Sequence, residues 1–203
     1  MIRIALFVAL LLGSLATALP ASADQPQEIT IKSFLYGAPE PSDPGNANLF
    51  AISGCFAVSG AITDQGGNPQ FDSSGNIVSC GNPAAIDGHA RFDGLGHLKS
   101  GAPNVLQATH RMFAQKGEID IKFEGKYGPV VPVVTPSGLR FIATSGNGGG
   151  WQITCGTGAY AGLQGAGTST AAADFTQAIA QTGPVTVVHT ETGRAHVTGS
   201  SSC

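Results

Sequence analysis

The chain has little charge: Asp, Glu, Lys and Arg make up 11% of its 203 residues, and Trp occurs once. No basic stripe runs through it, so nucleic acid and anionic membrane surfaces are poor partners. There is no C-x-x-C pair and no His–Cys cluster, which removes the usual zinc spacings, and no cofactor is indicated. Neither a Ser-His-Asp order nor a paired-carboxylate pattern stands out. No segment after the N-terminus approaches the about 20 apolar residues that a spanning helix needs. Beyond the same point, no stretch longer than about eight residues keeps a 3.6-residue period.

What is present begins with an export leader. Arg3 supplies the positive start, residues 4–12 are unbroken apolar, and Ala21-Ser22-Ala23 is an A-x-A cleavage site. Residues 1–23 therefore read as a signal peptide. Residues 24–203 read as one secreted or periplasmic domain with no membrane anchor once the leader is cut. Without Arg3, nine basic side chains face thirteen acidic ones, a net of about −4. Four cysteines, at 55, 80, 155 and 203, fit disulfides in an exported protein. Three connectivities are open; Cys55–Cys80 and Cys155–Cys203 are favoured because each closes a neighbouring part of the chain. The chain-entropy model assigns loops of that size about 3–4 kcal/mol each.

Twenty-nine glycines and twelve prolines punctuate short alternating segments, which suits strands and tight turns. Strands are expected at 28–36, 50–62, 86–93, 105–115, 118–126, 139–145, 151–155, 164–175 and 184–198. Residues 118–126 alternate most cleanly, with Ile119, Ile121 and Phe123 against Glu118, Asp120, Lys122 and Glu124. Residues 65–82 read as a long connection or an irregular hairpin, and 128–136, with three prolines, as an edge or crossover. Residues 171–180 are the one helical candidate. Roughly eight to ten strands in one domain must close or stack. The expectation is all-β, a single antiparallel barrel of about eight strands, with a β-sandwich as the alternative.

The densest signal is Trp151-Gln-Ile-Thr-Cys-Gly-Thr-Gly-Ala-Tyr-Ala-Gly-Leu-Gln-Gly-Ala-Gly-Thr168. It is strand, glycine-punctuated turn and strand, with Tyr160 clipped between glycines. The glycine spacing is not G-x-G-x-x-G and no helix follows, which sets nucleotide binding aside. At least one of Gly156, Gly158 and Gly162 is expected at positive φ.

This run resembles the signature of the allene oxide cyclase and dirigent barrel superfamily, whose members carry G-T-G-x-[YF]-x-G-x-x-G between two late strands. Gly117-Glu118-Ile119-Asp120-Ile121 and Thr192-Gly193-Arg194-Ala195-His196-Val197 are also similar to bacterial secreted relatives. The resemblance covers about residues 117–170. It implies an eight-stranded antiparallel barrel with a central cavity, often trimeric, so a homotrimer is possible. It also implies a small apolar or phenolic partner. Such proteins either cyclise a reactive fatty-acid epoxide or hold phenoxy radicals for coupling, and both work by positioning in a dry cavity.

Candidate chemistry rests on single side chains. His189 and Glu191 share a face with Val185, Val187 and Val197, so an inward face would set an imidazole beside a carboxyl in apolar surroundings. Those two are the catalytic candidates for an isomerase or cyclase. His110 shares its face with Leu106, Ala108 and Met112, where a hydrogen-bonded core role competes with ligand contact. Arg140 could hold a carboxylate from between Leu139 and Phe141, or lie outside. Tyr160 could touch a ligand or plug the turn. Asp87, His89 and Arg91 read as a solvated exterior ladder, and Trp151 as core. A structural exported trimeric module, with a filled interior and an outer face that matters more than its lumen, is the third functional reading.

Overall fold

The computed structural model describes residues 25–43, 48–93, 104–145, 149–198 and 203. The leader expected at 1–23 lies outside the described residues. Strands follow in the order β1 (Gln27–Pro39), β2 (Leu49–Gly60), β3 (Asp64–Gly66), β4 (Pro69–Phe71), β5 (Ile77–Cys80), β6 (Ile86–Asp93) and β7 (Asn104–Ala114). Then come β8 (Gly117–Tyr127), β9 (Val131–Thr135), β10 (Gly138–Thr144), β11 (Gly149–Gly156), β12 (Leu163–Asp174) and β13 (Val185–Val197). Helix is confined, among the described residues, to the single turn α1 (Thr176–Ile179) and a 3-10 turn at Gly158–Tyr160.

Eight of these strands form a closed antiparallel barrel in the order β11-β8-β7-β6-β2-β1-β13-β12, with β12 returning to pair β11. Closure excludes the sandwich alternative. The remaining strands decorate the ring. Strand β3 adds to β2, β4 and β5 form a separate hairpin, and β9 and β10 hang on β12 through three residue pairs. The segment 128–136 is thus an edge, and 65–82 contains a hairpin. Residues 171–174 belong to β12, which leaves one turn of the expected helix.

Period-two alternation fills the lumen. Ile119, Ile121, Phe123 and Tyr127 of β8 are buried while Lys122, Glu124 and Lys126 face out. On β13, Val185, Val187, His189 and Glu191 are buried in the same register, and Ala195 follows. Val197 shares that parity but is 40% exposed at the strand end.

The two barrel ends differ. At one end Phe92 packs edge-on against Phe50, Tyr127 and Phe175, with ring centroids 5.6, 5.7 and 6.0 Å apart. The opposite end is knitted by Asp64. It accepts hydrogen bonds from the Gln65 and Lys116 amides at 2.8 and 2.9 Å and from the Tyr160 hydroxyl at 3.0 Å. Burial alone would raise the Asp64 carboxyl, but these donors hold it below its ordinary value. Tyr160 is fully buried there. The Cys55–Cys80 and Cys155–Cys203 disulfides form as favoured above, with Cα atoms 5.6 and 5.2 Å apart. The second ties β11 to the C-terminal residue.

The signature turn adopts the expected backbone: Gly158 and Gly162 lie at φ +59° and +74°. A Cβ on Gly158 would sit 2.4 Å from the Lys116 carbonyl oxygen. Gly158→Val is therefore expected to lose more than about 1–2 kcal/mol from strain. That corresponds to a fall of several degrees in Tm for a domain of this size. Thermal unfolding checks it without any ligand, and an unchanged Tm would show that the turn does not limit folding.

Candidate functional site

Inside the barrel the alternation that delivers Val, Ile and Phe also delivers polar groups. Ser33 of β1, His110 of β7, Tyr127 of β8, Ser169 of β12 and His189 and Glu191 of β13 are all buried, with Glu191 at 0% exposure. Their strands pair so that these residues converge. Ser33 and Ala171 lie opposite His189 on the two flanking strands, and Ile31 and Ser169 lie opposite Glu191. His110 reaches inward from across the lumen, where Gly88 leaves it room: a Cβ there would meet the His110 Cβ at 2.5 Å.

The surroundings are largely apolar. Phe123 packs edge-on to the His189 ring at 4.6 Å. Nδ1 of His189 comes within 3.3 Å of Oε1 of Glu191, but without hydrogen-bond alignment. Both nitrogens of His110 and His189, both carboxyl oxygens of Glu191 and the hydroxyls of Ser33, Tyr127 and Ser169 have no partner within the protein. His110 is therefore not a hydrogen-bonded core histidine. Each such group costs stability by about 1–3 kcal/mol, and a core built for folding alone would hold apolar side chains there.

Burial also displaces the titrations. It pushes the Glu191 carboxyl up to about 8. It lowers the His110 imidazole to about 4, against a weak pull upward from Asp120. His189 falls to about 3, through burial and the neighbouring His110. Tyr127 is raised by burial and by Glu191. At neutral pH the site thus holds a protonated carboxylic acid beside two neutral imidazoles: one group able to give a proton and others able to accept one.

A void of about 30 Å³ lies beside His110, His189 and Tyr127 and runs toward Phe50, Phe92 and Leu106 at the aromatic end. That is room for about one water molecule. Larger grooves of about 490–670 Å³ lie outside the ring among exposed side chains such as Gln107, Lys122, Gln152 and Arg194. Comparison with protein-family models, curated proteins and solved structures finds no match for this chain. The site stands on its geometry.

The structure brings His189, Glu191 and His110 together and leaves the other two candidates elsewhere. Arg140 lies on the β9–β10 hairpin outside the ring, exposed, with its guanidinium engaged by Asp174. Tyr160 closes the far end on Asp64. Asp87, His89 and Arg91 are exposed, and His89 reaches Glu40 at 2.7 Å. Trp151 is core, its indole N–H donating to the Thr192 carbonyl at 3.1 Å. Sequence reading missed Ser33, Ser169 and Tyr127. The signal was parity: Ser33 alternates in step with Ile29, Ile31 and Leu35, and Tyr127 continues the inward run of β8 by one residue beyond its expected end. Among the described residues no three His, Cys, Asp or Glu groups are placed to hold a metal ion.

These titrations shape stability. Glu191 holds a proton in the folded state between 4.5 and about 8, so stability falls as pH rises through that window. His110 and His189 stay neutral when folded, so stability falls as pH drops below 6.5 toward about 4 and 3. Between 4.5 and 6.5 the two imidazoles outweigh the one carboxyl; above 6.5 the carboxyl acts alone. The expected profile peaks near pH 6.5, with slopes of roughly 1 kcal/mol per pH unit beside the peak. Tm measured from pH 5 to 9 checks this. Glu191→Gln should remove the alkaline fall, and its persistence would show that Glu191 is already ionised at neutral pH.

Proposed function

We propose that this chain is an exported, dirigent-like barrel that binds and positions a small apolar or phenolic molecule in its lumen. One observation carries the reading: donors and acceptors of Glu191, His189 and His110 converge in an apolar interior and have no partner in the protein. A ligand's hydroxyl or carbonyl group supplies the missing partners, and the flanking aromatic rings supply the apolar contact. Two disulfides, and the absence of any described helix long and apolar enough to cross a membrane, accord with export behind the leader. The glycine-rich turn at Gly156 to Gly167 supports the dirigent and allene oxide cyclase likeness. The void holds about one water, so entry requires rings at the aromatic end, Phe50 and Phe92 among them, to turn aside.

A second reading has its own support. Burial drives Glu191 up and both imidazoles down, which leaves an acid and a base side by side. Such a pair can protonate one atom of a bound molecule and deprotonate another, the balanced chemistry of an isomerase or cyclase.

The test is a trade between stability and binding. Glu191→Met replaces an unpartnered acid by an apolar side chain of similar size. It is expected to raise Tm by several degrees and to abolish ligand-induced stabilisation across a panel of phenols and apolar alcohols. Thermal shift and native mass spectrometry read both effects. A lower Tm together with no binding by the unsubstituted protein would leave a structural module with a filled interior.

A further inference from the structure

The interior groups also specify the charge of what they bind, an inference that rests on the ligand-binding reading above. Glu191 is flanked by Ser169 of β12 and interacts with Tyr127 of β8, while its neighbour His189 is flanked by Ser33 of β1 and interacts with His110 of β7. These groups offer both donors and acceptors but no permanent cation. Among the described residues every Lys and Arg side chain is exposed or half-buried, and none is in the lumen. Several are tied elsewhere: Lys32 to the Gly75 carbonyl, Arg111 to Asp120 and Arg140 to Asp174.

An anion entering this lumen would give up its hydration and meet no compensating charge. An uncharged hydroxyl or carbonyl compound would instead complete hydrogen bonds that the protein leaves open. We infer that the barrel interior selects uncharged molecules bearing a hydroxyl or carbonyl group and excludes the carboxylate of the same skeleton. Ionisation of Glu191 strengthens the exclusion, because it places a negative charge in the lumen and removes the acidic donor that an uncharged ligand uses.

Three probes of one skeleton and different charge test this at pH 7: benzyl alcohol, benzoate and benzylammonium. Ligand-observed NMR and calorimetry on the disulfide-bonded protein read their binding. Benzyl alcohol is expected to bind, with benzoate and benzylammonium at least tenfold weaker. Binding of benzyl alcohol should weaken above pH 8 in the unsubstituted protein and persist at pH 9 in Glu191→Gln. Circular dichroism confirms that the variant is folded. A second variant, His189→Phe, should lose the alcohol; unchanged binding there would place it in an outer groove and overturn the inference. Benzoate binding as tightly as the alcohol would overturn charge selection while leaving a ligand-binding barrel. Tightest binding by benzylammonium would overturn it by making the lumen a cation site. No binding by any of the three would overturn the ligand-binding reading, and this inference with it.

Discussion

Everything in this structure follows from the pairing of β12 with β11 that shuts the sheet into a ring. In an open sheet an inward polar residue near an edge can reach bulk water; in a closed eight-stranded ring it is shielded from it. Closure converts a simple parity in the sequence into desolvation. Glu191, two positions from His189, is thereby committed to an apolar lumen as firmly as Val185 and Val187. Burial is the largest cause of every displaced titration among His110, Tyr127, His189 and Glu191.

One end of the barrel and its middle divide the remaining work. Around Tyr160 the polar groups are satisfied: Asp64 collects donors from three segments, and a disulfide anchors the C-terminal residue nearby. Around His189 the polar groups are left open and the packing is aromatic, ring against ring, with a small void between. The same barrel therefore holds a well-satisfied end, whose account is stability, and an unsatisfied middle, which folding does not explain. This contrast, and not any one residue, separates site from scaffold.

Much of this was legible in the sequence because period-two patterning and glycine placement are local. The alternation of residues 118–126, the positive φ in the glycine turn and the nearest-neighbour disulfides needed only short-range reasoning. Other features were not local. The segment around Arg140 reads like any barrel strand, yet β10 pairs with β12 over only three residues and leaves the ring. Nothing in its own residues reports that. Ser33 and Ser169 were legible as inward by parity but joined the site only once β1 and β12 were known to flank β13. Residues 171–180 carried helix-forming alanines, and the sheet claimed the first four because β12 could extend against β13. Val197 keeps the parity of its strand but not its burial, although Leu163 opposite it is buried.

The central claim is that the lumen buries polar groups in apolar surroundings and is uncharged at neutral pH. A ¹³C NMR titration of the Glu191 side-chain carboxyl tests it most directly. The account predicts a carboxyl still protonated at pH 7, with a midpoint near 8. A midpoint near the ordinary 4.5 would show a solvated or ion-paired carboxylate and would contradict the account.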